Sequence, residues 1–143
     1  MTKVLFIMGV GRSGSTILDN LLGELDGFFS LGEVDKLWLE GLIREGKCGC
    51  RAPVEECKLW SAVLSAVFDG TQGPRDVERI VRWQMETLRV KNTWRLLRQE
   101  TDRLSGWESL DAYVRVLNRL YDALARVTGA RVLVDSSKRP GQG

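Results

Sequence analysis

Hydrophobic and polar positions divide the chain into blocks of two different periods. Residues 3–8, "KVLFIM", are apolar with little alternation, the pattern of a short strand buried on both faces of a parallel sheet. A glycine turn follows. Ile17, Leu18, Leu21, Leu22 and Leu25 then recur at helical spacing over residues 15–26, with Gly27 placed to cap the end. "FFSLGE" reads as a second short strand ending at Gly32 and Glu33, and residues 34–45 read as helical. "GKCGCRAPVEEC" lacks periodicity and reads as a loop, while "KLWSAVLSAVF" reads as a helix stopping near Gly70. "TQGP" is a linker or helix entry, after which Val77, Ile80, Val81, Met85 and Leu88 keep helical spacing. A further helix is expected around Trp94 and Leu97. Ser105 and Glu108 have the spacing of a capping box. The helix they would open carries Leu110, Tyr113, Val114, Leu117, Leu120, Tyr121, Leu124 and Val127 on one face and ends at Gly129. "RVLVDSSK" is a last buried strand with a polar exit.

This order of elements predicts an α/β protein with a parallel sheet. Only two or three strands are found in 143 residues, so the chain reads as the front part of a larger domain. The edge of its last strand would then be exposed and prone to aggregate. Residues 1–34 form the strand-loop-helix unit and 35–128 a helical region with a cysteine loop at 46–58. Residues 129–143 supply a core strand and its exit loop.

Charge and composition narrow the chemistry. A net charge of +2 gives no bulk attraction to nucleic acid. Trp83 and Trp94 lie among basic residues, but the charges are mixed and the apolar positions are helical. An amphipathic lid or substrate-side region therefore fits better than a nucleic-acid surface. The chain has no histidine, which leaves carboxylate, lysine, tyrosine or cysteine as a base near neutral pH. No apolar run is long enough to span a bilayer. "KVLFIMGV" is short and leads directly into a loop carrying Arg12, which favours a strand over a signal peptide. An odd count of cysteines, Cys48, Cys50 and Cys57, favours a reducing, cytoplasmic setting.

The candidate chemistry starts at "GVGRSGST", Gly9 to Thr16. Its Gly-x-x-x-x-Gly-Ser-Thr spacing matches a phosphate-binding loop, except that Ser15 stands where such loops carry lysine. Glycines let successive N–H groups turn toward one anion, and the helix that follows adds its positive end. Ser13, Ser15 and Thr16 offer hydroxyls, and Arg12 offers a cation. Losing the lysine argues against triphosphate chemistry, in which lysine and magnesium neutralise the β- and γ-phosphates. A sulfuryl group carries one negative charge and needs less neutralisation, with no metal.

"GRSGST" after a first strand resembles the 5′-phosphosulfate-binding loop of sulfotransferases that use 3′-phosphoadenosine 5′-phosphosulfate, a modified P-loop with a basic residue just before Ser-Gly. The resemblance covers residues 4–34 and 131–140 well, and the middle only through the cysteine loop. It implies a P-loop-type three-layer fold, here with a helical insertion between the second and last strands. Gly11, Arg12, Ser13, Gly14, Ser15 and Thr16 would bind the donor. Tyrosylprotein and bacterial sulfotransferases have a Gly-Glu pair about one helix beyond the loop, which makes Glu33 the expected catalytic base. A surface or helix-capping glutamate is the plainer reading. Lys138, after the "VLVDSS" strand, resembles a family lysine near the transferring group and would stabilise the leaving oxygen. Without that role it is a solvated loop lysine.

Asp135 also fits the magnesium-binding aspartate of a P-loop kinase or NTPase, the principal rival reading, and a non-catalytic fragment is the other. Cys48, Cys50 and Cys57, with Trp60 following, resemble the "CGCG…C…W" loop of bacterial members, though Arg51 stands where glycine is expected. Three thiols could hold zinc only with a fourth ligand from Glu55, Glu56 or water. A free-thiol or disulfide-capable loop beside the acceptor site is the expectation, with no metal. The implied acceptor is a small molecule, carbohydrate or lipid with a hydroxyl or amine. The arginine and serine with which family members grip the donor's 3′-phosphate, and the later adenine-stacking part, find no match in this sequence.

Overall fold

The computed structural model describes residues 3–9, 12–70, 73–98 and 106–137. Three parallel strands, β1 (Lys3–Phe6), β2 (Phe28–Gly32) and β3 (Val132–Asp135), form a small open sheet in the order β1-β3-β2. Mixed helix and strand with a parallel sheet agree with the expected α/β class. The last strand is the central one, so the exposed edge expected there belongs instead to β1 and β2. Its register runs from Lys3 opposite Val132 to Phe6 opposite Asp135, and from Phe28 opposite Val132 to Gly32 opposite Asp135. Leu133 and Val134 are fully buried, as a central parallel strand requires.

The first strand departs from expectation. Val4, Leu5 and Phe6 are about two-fifths exposed, because β1 pairs only with β3. Helix α1 (Ser15–Gly23) departs further. Its expected apolar stripe faces outward: Ile17 and Leu21 are 68% and 63% exposed, with Leu18 and Leu25 also exposed. The residues it buries are Ser15 and Asp19, one helical turn apart, with Leu22 and Gly23 half-buried on the same side. Gly23 brings the helix close to Ser30 of β2. A contiguous exposed apolar band of this kind drives association. The purified chain is expected to self-associate with rising concentration in sedimentation velocity. Leu21→Lys should reduce that association while changing unfolding stability by only about 0.5 kcal/mol or less, since surface substitutions rarely cost more.

The core lies among the helices. Residues 34–45 are helical as predicted, but as a 3-10 turn (Val34–Lys36) running into a π-helical segment (Leu37–Ile43). The wider coil closes when the Arg44 N–H reaches the carbonyl of Leu39 and the Gly46 N–H those of Glu40 and Gly41. A Cβ at Gly46 would lie 2.4 Å from the Glu40 carbonyl oxygen, so only glycine allows this close approach. Helix α3 (Pro74–Thr87) packs against this segment, α5 (Glu108–Thr128) packs against both α3 and α2 (Lys58–Val67), and α4 (Thr93–Leu97) is a single short turn.

Trp38, Val63, Leu120, Leu124 and Leu133 are fully buried, each worth about 1.5–3 kcal/mol of transfer free energy if an aliphatic of this size. Trp38 meets Phe68 edge to face at 6.3 Å. Val77, Ile80 and Val81 of α3 join the same core, while Met85 points outward. Val114 and Val127 of the α5 stripe are also exposed. The helix begins at Glu108 behind Trp107, because Gly106 has a left-handed φ of 70° that no helix can pass through. That position makes Glu108 the first helical residue rather than the third, so the expected box does not form around it; Ser105 lies outside the described residues.

Candidate functional site

Because all three strands are parallel, their C-terminal ends share one edge of the sheet. Phe6, Asp135 and Gly32 stand side by side in one row of the register. The Ile7 N–H donates to the Asp135 carbonyl at 2.7 Å and the Ser136 N–H to the Gly32 carbonyl at 2.9 Å, extending the ladder one step. Beyond that row come the glycine turn after β1, the pair Ser136–Ser137 after β3, and Glu33 after β2. The topology thus brings turn and glutamate to the same edge, with the β3 exit between them. Two strand spacings put their backbones about 10 Å apart there.

The described part of the turn has two left-handed residues. Arg12 has a left-handed φ of 64°, uncommon for a residue with a side chain, and Gly14 one of 77°. Gly14 is the N-cap of α1, and its carbonyl accepts from Ile17 and Leu18 at 3.0 and 3.1 Å. It has no side chain with which to satisfy the amides of the first turn. Ser15 is 4% exposed and its hydroxyl has no partner among the described residues. Arg12, Ser13 and Thr16 are exposed around it. Gly11 and Lys138 lie outside the described residues.

A buried polar network holds the middle of the edge. The Ser136 hydroxyl donates to Asp19 Oδ2 at 2.9 Å, pinning α1 to the β3 exit. Asp135 Oδ1 accepts from the Ser137 N–H and hydroxyl at 2.8 and 2.5 Å, and Oδ2 accepts from Tyr121 Oη at 2.5 Å. The Ser137 hydroxyl oxygen accepts from the Asp35 N–H at 3.1 Å, and Gln84 Nε2 donates to the Asp35 carbonyl at 2.9 Å. Burial, and then the Asp135 charge, raise the Tyr121 pKa far above its usual value, so its hydroxyl stays a donor at any physiological pH. Tyr121→Phe should leave a buried carboxylate oxygen short of a donor and lower unfolding stability by about 1–2 kcal/mol in chemical denaturation. Neither Asp19 nor Gln84 was among the sequence candidates, and Tyr121 was expected only as part of an apolar stripe. The one signal was a carboxylate inside the apolar run "ILDNLL".

Glu33 is half-buried and pairs with Lys36 at the next turn. It lines a cleft of about 410 Å³ with Leu37, Arg44, Cys48 and Trp60. The cysteine loop therefore shares a wall with Glu33. A larger cleft of about 580 Å³, among Leu42, Ser61, Leu64 and Val77, contains none of the expected donor-binding or catalytic residues, though Glu55 lines it.

The loop itself folds as a tight turn: Cys48 N–H to the Ala52 carbonyl and Arg51 N–H to the Cys48 carbonyl, both at 2.8 Å. Arg51, which stands where the resemblance has glycine, takes a left-handed φ of 70° there, a conformation glycine adopts more readily. The Cys57 sulfur lies 3.5 Å from that of Cys48 and 3.6 Å from that of Cys50. The backbone N–H of Trp60 lowers the Cys57 pKa, while burial raises that of Cys48.

No helix of the described residues is long and apolar enough to cross a membrane. Comparisons of the chain with protein-family models, with curated proteins and with solved structures find no match.

Proposed function

We propose that the chain carries the donor-binding edge of a P-loop-type sulfotransferase that takes its sulfuryl group from 3′-phosphoadenosine 5′-phosphosulfate. The observation that carries the reading is the buried, unpartnered hydroxyl of Ser15, set beneath a helix N-terminus that no side chain caps. An anion held by the turn would complete both. Glu33 lies at the same strand-end edge and in a cleft of about 410 Å³, room for a small acceptor or one end of a larger one.

In this reaction the acceptor oxygen or nitrogen forms a bond to sulfur as the bond from sulfur to the bridging phosphate oxygen breaks. The acceptor proton passes to the Glu33 carboxylate. The electron pair of the broken bond stays on 3′-phosphoadenosine 5′-phosphate. Arg12 and the amides of the turn hold the donor phosphate. The resemblance assigns Lys138 to the bridging oxygen, where its charge would meet the developing negative charge.

The rival P-loop NTPase reading draws on Asp135 at the end of β3. Both oxygens of that carboxylate are already engaged by Ser137 and Tyr121, which weighs against a magnesium role. A calorimetric titration with 3′-phosphoadenosine 5′-phosphate in EDTA separates the readings. Saturable binding without a divalent ion is expected. Binding only of ATP, and only with magnesium, would replace this proposal with the rival.

A further inference from the structure

The three cysteines form a cluster apart from the anion-binding turn. Their sulfurs all lie within 4.8 Å of one another, and no carboxylate of the described residues joins them. Four thiolates around a tetrahedral zinc ion, with zinc–sulfur bonds of about 2.3 Å, stand about 3.8 Å apart. The separations of 3.5 and 3.6 Å around Cys57 are close to that spacing. The geometry points to a zinc site formed by the thiolates of Cys48, Cys50 and Cys57, with its fourth position left to water or a small anion.

The backbone is arranged for it. Cys48 and Cys50 sit on the tight turn closed by the Cys48–Ala52 and Arg51–Cys48 hydrogen bonds, which aims both sulfurs to one side. Cys57 is the N-cap of α2, which places it next to the first-turn N–H groups that have no partner within the helix. Such donors stabilise a bound thiolate. Three thiolates and one divalent ion leave a net negative charge, and Lys47, Arg51 and Lys58 flank the cluster in sequence. A disulfide explains the arrangement less well. Cys57 lies almost equally far from both other sulfurs, so either bridge would strand a third thiol beside it. The bound ion would fasten the loop to the start of α2 and fix the cleft wall that Cys48 shares with Glu33.

The test uses the full chain, purified under reducing conditions from zinc-supplemented medium. Elemental analysis should find zinc equimolar with protein after dialysis against metal-free buffer. Cobalt(II) added to the chelator-stripped chain should produce the intense thiolate-to-cobalt absorption band in equimolar proportion. Cys48→Ser and Cys57→Ser should each lose most of the bound zinc. A Glu55→Gln control should retain it. A folded, reduced chain with no retained zinc and no cobalt band overturns the proposal. So does a freshly isolated metal-free chain whose mass shows a disulfide. The cobalt titration needs no variant, so a misfolded mutant does not blunt the test. Donor binding plays no part in any of these readouts.

Discussion

Replacing Glu33 by glutamine is expected to lower kcat for sulfuryl transfer by about 10²- to 10⁴-fold, the usual loss when a general base is removed. Affinity for 3′-phosphoadenosine 5′-phosphate should stay within roughly two-fold, because the proposed role of Glu33 is toward the acceptor and not the phosphate. The measurement is release of that product from the donor across a panel of hydroxyl and amine acceptors, with binding read separately by calorimetry. An effect confined to folding would look different. The Glu33–Lys36 pair is partly exposed, with side chains 28% and 53% accessible. Losing such a pair costs at most about 1 kcal/mol of stability. An unchanged kcat in a chain that still binds the donor product would remove Glu33 from the mechanism. It would leave the anion-binding turn untouched.

Arg12→Ala tests the other half of the site. A hydrogen bond to a charged group contributes about 1.5–3 kcal/mol, so donor-product affinity should fall roughly ten- to a hundredfold in EDTA. The salt dependence of binding should weaken with it, since an exposed cation acts through a screened field. Two effects of the substitution compete. Alanine removes the charge, and its smaller side chain also occupies the left-handed φ of 64° without Arg12's flexible stem. The second effect touches the fold of the turn, so Arg12→Lys gives the control. Lysine keeps the charge but not the fork, and should recover part of the lost affinity. Equal affinities for all three chains would mean that the turn holds no phosphate at this position.

Sequence and structure agree where one local pattern decides the outcome. The α5 run from Leu110 to Leu124 has the 3.6-residue period, and it is a helix ending at Gly129. "FFSLG" is a strand and "VLVD" a buried one. The glycine turn was legible because its backbone demands are local: Gly14 has to adopt a left-handed conformation before the helix can begin. Glu33 was legible as the residue after a strand. The resemblance put the cysteine loop beside the acceptor site, but that Cys48 and Glu33 line one cleft depends on the π-helical segment and the turn at Gly46.

Which face of an element is buried was less legible. The hydrophobic stripe of α1 predicts its inward side, yet Ser15 and Asp19 point inward and Ile17 and Leu21 outward. The hydrogen bond from Ser136 to Asp19, between residues 117 apart, is made in that orientation. It depends on a strand that no pattern within the helix can register.

By itself the sequence determined the order of helices and strands, the glycine turn and the residues with chemical potential, because each depends on neighbours a few positions away. Only the tertiary structure decided that the last strand enters the middle of the sheet and that α1 turns its polar side inward. It alone decided that three thiols converge. These outcomes rest on contacts between distant segments, whose free energies are settled when the elements pack against each other.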